Sequence, residues 1–145
     1  MRALARLLLG ALVAATLAMA VFAAGAGGGA ATVHCKLAGH HYWGTTSQKK
    51  PVCITVSSDG SKLVEYSYGF HDSCGGSGTS WTRNPKRGYI TTVSHGSFKD
   101  ASMPPSFFKG VVSGSTAHGT FRDRTEVSGL DTCDTGVVHW TARQR

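Results

Sequence analysis

The chain has 145 residues, with 15 Lys and Arg against 8 Asp and Glu and a formal net charge of +7. A length of this order holds one domain rather than several. The basic residues are spread along the chain, and no RRM, zinc-finger or similar signature accompanies them, so nucleic acid is excluded as an expected partner.

The chain opens MRALARLLLGALVAATLAMAVFAAGAGGGAATVHC, in which Arg2 and Arg6 precede an uncharged apolar run over residues 7–24. Small residues follow at Ala18-Met19-Ala20, Val21-Phe22-Ala23 and Ala24-Gly25-Ala26. A basic n-region, an apolar h-region and small-x-small sites together define a secretory signal. We assign it to residues 1–26, as a helix removed on export, and a Gly- and Ala-rich linker to 27–34. An uncleaved membrane anchor is the alternative, because an apolar run of about 18 residues reaches the lower limit for spanning a bilayer. The two arginines are separated, so there is no twin-arginine signal, and Cys35, preceded by Thr-Val-His, does not fit a lipidation site. No second apolar segment of that length follows, so the expected location is secreted or extracellular. Loss of Arg2 and Arg6 with the signal lowers the net charge from +7 to +5.

Residues 35–145 read as a single all-β domain, an antiparallel β-sandwich with a barrel-like alternative. Its segments are short, rich in Val, Thr, Tyr and Phe, and separated by Gly, Ser and Asp clusters. In PVCITVSSDGSKLVEYSYGF, Val52, Ile54 and Val56 alternate with polar partners. Asp59-Gly60 supplies a turn, and Val64, Tyr66, Tyr68 and Phe70 take alternate positions of the next strand. This predicts a hairpin, because Asp-Gly tolerates the positive φ of a tight turn. RGYITTVS predicts a further strand, FFKGVVSGSTAHGTFRDRTEV a second hairpin turning near Gly114-Ser115, and GVVHWTAR the last strand. In that last strand Val138, Trp140 and Ala142 share a face, which sends Trp140 into the core. HDSCGGSGTSWTRNPKR and HGSFKDASMPPS are expected as loops, since Pro104-Pro105 excludes helix or central strand. No apolar spacing of 3.6 residues is sustained, so helix is not expected after the signal.

The four cysteines, Cys35, Cys53, Cys74 and Cys133, all follow the signal. An even number in an exported chain reads as disulfides, with three possible connectivities. No CxxC pair is present to hold a tetrahedral zinc.

The stretches YWGTTSQKKPVCITVSSDGSKL, SCGGSG, GVVSGSTAHGTF and CDTGVVHWTAR resemble a group of small exported proteins of high-GC Gram-positive bacteria to which no activity is attached. The resemblance runs over residues 40–143. It implies a β-sandwich in which Cys74 bridges Cys133, with Cys35 and Cys53 as an additional pair, and it implies no catalytic function.

The chemistry-bearing residues are sparse. His34, His40, His41, His71, His95, His118 and His139 form neither HExxH nor HxH, and no metal or other cofactor is expected. His71, Asp72, Ser73 and Cys74 adjoin, but neighbours in sequence rarely build a triad, and GGSGT departs from the G-x-S-x-G elbow. CGGSG lacks the Lys-Ser/Thr ending of a phosphate loop and reads as a turn. Glu65 and Glu126, on predicted strands, are the carboxylates that could approach one another, with exposure to solvent as the simpler reading.

The candidate ligand-binding segment is GTSWTRNPKRGY, where Trp81, Arg83, Lys86, Arg87 and Tyr89 set aromatic faces beside cations. Arg122, Arg124, Arg143 and Arg145 form a second basic group if their strands pair. The function expected is that of an exported, non-enzymatic β-domain that binds cell-envelope or extracellular glycan. The alternatives are a small secreted hydrolase around His71-Asp72 and a module that binds or inhibits another extracellular protein through a sheet edge.

Overall fold

A computed structural model describes residues 33–74, 79–126 and 132–145. The signal assigned to 1–26, residues 27–32 of the expected linker, the GGSG segment 75–78 expected as a turn and the segment 127–131 lie outside the described residues. The described chain forms ten strands: β1 (His40–Thr46), β2 (Pro51–Val56), β3 (Lys62–Asp72), β4 (Thr79–Thr92), β5 (Ser97–Asp100), β6 (Phe107–Ser113), β7 (Thr116–Arg122), β8 (Arg124–Thr125), β9 (Cys133–Asp134) and β10 (Val138–Gln144). No α-helix occurs among them, and no helix is long and apolar enough to cross a membrane.

Eight strands make one sheet in the order β4-β3-β2-β1-β10-β7-β6-β5, with all neighbours antiparallel and β8 and β9 as a separate ribbon. The expected all-β antiparallel fold is present in its barrel-like form. Rather than two separate sheets, one sheet curls until the inner faces of its two halves meet. Tyr66 of β3 stacks on Phe108 of β6 at 4.3 Å between ring centroids, and Tyr68 on Phe121 of β7 at 4.0 Å. Phe108 in turn stacks on Trp140 of β10 at 5.2 Å. Such pairs contribute about 0.5–1.5 kcal/mol each beyond the area they bury.

Both predicted hairpins are present. Asp59-Gly60 lies in the turn between β2 and β3, with Gly60 at φ +73°, and Gly114-Ser115 joins β6 to β7, with Gly114 at φ +55°. Trp140 is buried with Val138 and Ala142 on the inner face, as its alternation predicts. Its indole lies over Gly110 and Gly119, paired opposite one another in β6 and β7. A Cβ on Gly119 would come within 2.7 Å of Trp140 Cζ2 and 2.0 Å of the Lys109 carbonyl oxygen.

Three sequence expectations change. Within the expected loop HDSCGGSGTSWTRNPKR, residues 79–87 are not loop but the first part of β4, a 14-residue edge strand that continues through Thr92. Pro85 is tolerated because an edge strand needs ladder bonds on one side only. SFKD, placed in the second expected loop, is the edge strand β5 at the opposite end of the sheet order. Val64 does not join the face of Tyr66, Tyr68 and Phe70. The register shifts so that Thr55 faces Glu65 and Val56 faces Leu63, and Leu63 is buried in Val64's stead.

The outer faces of β2 and β3 are buried as well, which clean alternation does not foresee. Cys53, Thr55, Glu65 and Ser67 are all enclosed. Cys35 bridges Cys53 and draws the strap 33–37 across them, so that Val33, Cys35 and Cys53 form a small second core against Trp43. The other bridge joins Cys74 to Cys133 and ties the end of β3 to the β8–β9 ribbon. Both pairings are those expected, and two closed disulfides accord with an oxidising compartment.

Candidate functional site

The residues singled out on β4 lie on one strand, but their cations are matched to buried acids. Arg83 Nη1 is 3.4 Å from Asp123 Oδ2, Lys86 Nζ is 2.7 Å from Asp100 Oδ2, and Arg87 Nε is 2.7 Å from Glu65 Oε1. These three carboxylate side chains are 6%, 6% and 0% exposed, so each needs its partner. Strict alternation would not put Arg83 and Lys86 on one face. The register shift does: Tyr66 faces Lys86 and Tyr68 faces Arg83, a three-residue step on β4 against two on β3. The Tyr66 hydroxyl donates to Asp100 at 2.7 Å and the Tyr68 hydroxyl to Asp123 at 3.2 Å.

The consequence is architectural. β4 and β5 are the two free edges of the curled sheet, and a backbone ladder does not join them. Lys86 on β4, Tyr66 on β3 and Asp100 on β5 join them by side chains, and Lys86 also donates to Ser102 Oγ at 2.6 Å. Burial alone would raise the pKa of Asp100, but hydrogen bonds from Lys86, Tyr66 and Ser102 outweigh it and bring the value down to about 2. Glu65 follows the same pattern: burial opposes ionisation, while Arg87 and the backbone N–H groups of Leu37 and Lys36 hold its carboxyl below the usual range. Tyr66 and Tyr68 are pushed well above the ordinary phenol value, chiefly by burial, with the adjacent carboxylates adding to it.

Tyr89 is 67% exposed and shares a hydrogen bond with Thr92 at 3.0 Å. Trp81 faces Phe70 through the backbone; its side chain lies outside the described residues.

The other constellations come apart. Cys74 is bridged and offers no thiol. His71 is exposed, with Nδ1 2.9 Å from Ser80 Oγ, whereas Asp72 is buried and its Oδ1 meets no hydrogen-bond partner among the described residues. Asp72, Cys74 and Cys133 place ligand-type atoms within 4.8 Å of one another, but both sulfurs are spent in the disulfide. Glu65 is buried and ion-paired rather than solvent-facing, and Glu126 is exposed outside any strand. The second basic group also divides. Arg122 pairs with Asp134 at one end of β7, whereas Arg143 faces Thr116 at the other.

A different surface gathers what sequence reasoning did not combine. The outward positions of β1, β10, β7, β6 and β5 carry no acidic side chain. Register aligns them in rows: Lys99, Lys109, Thr120 and His139, then Ser97, Val111, His118, Thr141 and Thr45. A third row holds Ser113, Thr116, Arg143 and Trp43. Lys99 and Lys109, both exposed, are direct cross-strand partners, an arrangement that repels. Two open hollows share His118 on this face. One, of about 430 Å³, is lined by Lys99, Lys109, Thr120 and His139; the other, of about 710 Å³, is lined by Trp43, Thr116, Thr141 and Arg143. A signal for this face is legible in the chain: residues 33–58, 101–122 and 135–145 contain no Asp or Glu.

Comparison of the chain with protein-family models, with curated proteins and with solved structures finds no match.

Proposed function

We propose that the protein is an exported, non-enzymatic β-domain that binds an anionic glycan of the cell envelope or the extracellular space. The observation that carries this reading is the sorting of charge. The carboxylates of Glu65, Asp100 and Asp123 are buried against Arg87, Lys86 and Arg83, while Lys99, Lys109 and Arg143 stand exposed on strands whose own outward positions hold no acidic side chain. Placing Lys99 directly opposite Lys109 costs stability in the free protein, and an anion seated between them relieves that cost. A face of one sign also raises the local concentration of an oppositely charged polymer and speeds its capture. The proposed binding site moves accordingly from the β4 segment, whose cations are already matched, to the outward face of β1, β10, β7, β6 and β5.

The test is retention of the oxidised, exported protein on isolated cell envelope and on an array that holds acidic and neutral glycans. Retention on acidic glycans that weakens as salt rises, and weakens further in the Lys99→Gln/Lys109→Gln double variant, supports the reading. Absence of retention on every acidic glycan at low ionic strength overturns it.

A further inference from the structure

Resting on that reading, we infer that Trp43 and Arg143 form a subsite for an acidic sugar residue, a pyranose ring carrying a carboxylate or a sulfate ester. The two residues are direct partners across β1 and β10 and face outward. Side chains so placed have Cβ atoms about 4.5–5.5 Å apart, close enough for one sugar residue to touch both. Trp43 is half-buried against Val33 and the Cys35–Cys53 bridge, so the strap beneath fixes the indole as a platform instead of leaving it a mobile ring. Arg143 is exposed and takes part in no ion pair among the described residues. Around them Thr45, Thr116, Thr141 and His118 line the open hollow of about 710 Å³, within the range of small-ligand sites at about 300–1,000 Å³.

The chemistry of the pair selects the ligand. An indole offers a flat apolar surface with a polar edge, suited to the C–H face of a sugar ring. A guanidinium offers a planar fork suited to a carboxylate or a sulfate. A neutral sugar leaves the guanidinium unused, and a polyanion that is not a sugar leaves the indole unused. An acidic sugar engages both. The hydroxyls of Thr45, Thr116 and Thr141 supply donors and acceptors for ring hydroxyls. The lysine pair on β5 and β6 lies along the same face and meets a further anionic unit of the same polymer, so the two hollows act on one chain.

The experiment titrates the oxidised, exported protein with four probes: a polyuronate, a sulfated glycan, a neutral glycan and polyglutamate. Trp43→Phe narrows the platform, and Arg143→Gln removes the fork at an exposed position where the fold does not depend on it; near-ultraviolet circular dichroism checks both. The expected result is that the polyuronate, the sulfated glycan or both bind at least about tenfold more tightly than polyglutamate and the neutral glycan. Arg143→Gln and Trp43→Phe each abolish most of that preference, as loss of one charge-assisted contact does. Preference for the polyuronate assigns the anion as carboxylate and preference for the sulfated glycan as sulfate. If all three polyanions bind alike, and Lys99→Gln/Lys109→Gln weakens them while Arg143→Gln and Trp43→Phe weaken none, the subsite is refuted and the anionic-face reading survives. If no polyanion binds, both fall together.

Discussion

Replacing Glu65 removes the acceptor that fastens the strap 33–37 to the sheet. Its Oε2 receives the backbone N–H groups of Lys36 at 2.6 Å and Leu37 at 2.8 Å, and its Oε1 faces Arg87 Nε at 2.7 Å. In Glu65→Ala the two amides lose their partner beneath the strap at about 1–3 kcal/mol each, less whatever water recovers. Arg87 is 48% exposed and rehydrates, so its share stays below about 1 kcal/mol. The total is about 3–4 kcal/mol. Glu65→Gln keeps an oxygen for the amides but turns an NH2 toward Arg87, and costs about 1–2 kcal/mol. Urea unfolding of the oxidised proteins at neutral pH measures both, and hydrogen exchange at Lys36 and Leu37 localises the effect. The difference between wild type and Glu65→Gln also depends on pH. Because the folded carboxyl is held below its usual range, its contribution is complete above the unfolded value of about 4.3 and is lost as pH falls through the folded value. A Glu65→Ala protein within about 0.5 kcal/mol of wild type, with unchanged exchange at both amides, would refute the reasoning.

Three further outcomes are expected. Burial raises the phenol pKa of Tyr42, Tyr66 and Tyr68, so the stability they supply is complete below the ordinary value of about 10 and is lost as pH rises toward the folded values. Tyrosinate absorbance should therefore appear for these three together with unfolding, and their ionisation with the near-ultraviolet dichroism intact would contradict the packing. Removing a disulfide by paired Cys→Ala substitution should cost about 4 kcal/mol for Cys74–Cys133 and about 3 for Cys35–Cys53, since the closed loops differ in length; urea midpoints in the reverse order would count against this. Gly119→Ala should destabilise by at least about 2 kcal/mol and shift Trp140 emission, because its Cβ would meet the Lys109 carbonyl at 2.0 Å; a neutral effect would show that β6 and β7 yield readily.

The hairpins and the terminal strand were legible because their signals are local. Asp59-Gly60 and Gly114-Ser115 specify turns by backbone chemistry alone, and Val138, Trp140 and Ala142 alternate over a strand with one face to the core. The first part of β4 was not legible, because Asn84 and Pro85 are turn-forming residues in most settings. They are acceptable here because the strand is an edge, and which strand is an edge is a property of the whole sheet. β5 is four residues long with Lys99 at its centre, too short for a period-2 pattern to show. Glu65 was misread for a related reason. An acid on a strand ordinarily faces water, and only a cover made by residues 33–37, nearly thirty positions earlier in the chain, reverses that.

The order of strands decides which lysines are matched by an acid and which are not. Lys86 and Lys99 both stand within a few residues of an aromatic side chain, and composition alone does not say which of them is paired. The order of strands separates them. Because β4 and β5 are the edges that the curl brings together, Lys86 reaches Asp100 across the seam and its charge is consumed in closing the sheet. Lys99, one residue before Asp100 on the same short strand, points the opposite way by alternation and finds another lysine. A single strand thus sends its acid inward to close the fold and its cation outward, where nothing in the described chain neutralises it. A buried acid depends on its matched cation, because removing the partner would leave an uncompensated charge, whereas two exposed lysines set face to face are a standing repulsion that a turn or a mixed surface would have avoided. That repulsion has a physical remedy in an anionic ligand, which is why the proposed binding site lies on the outer face of the strand whose inner face completes the core.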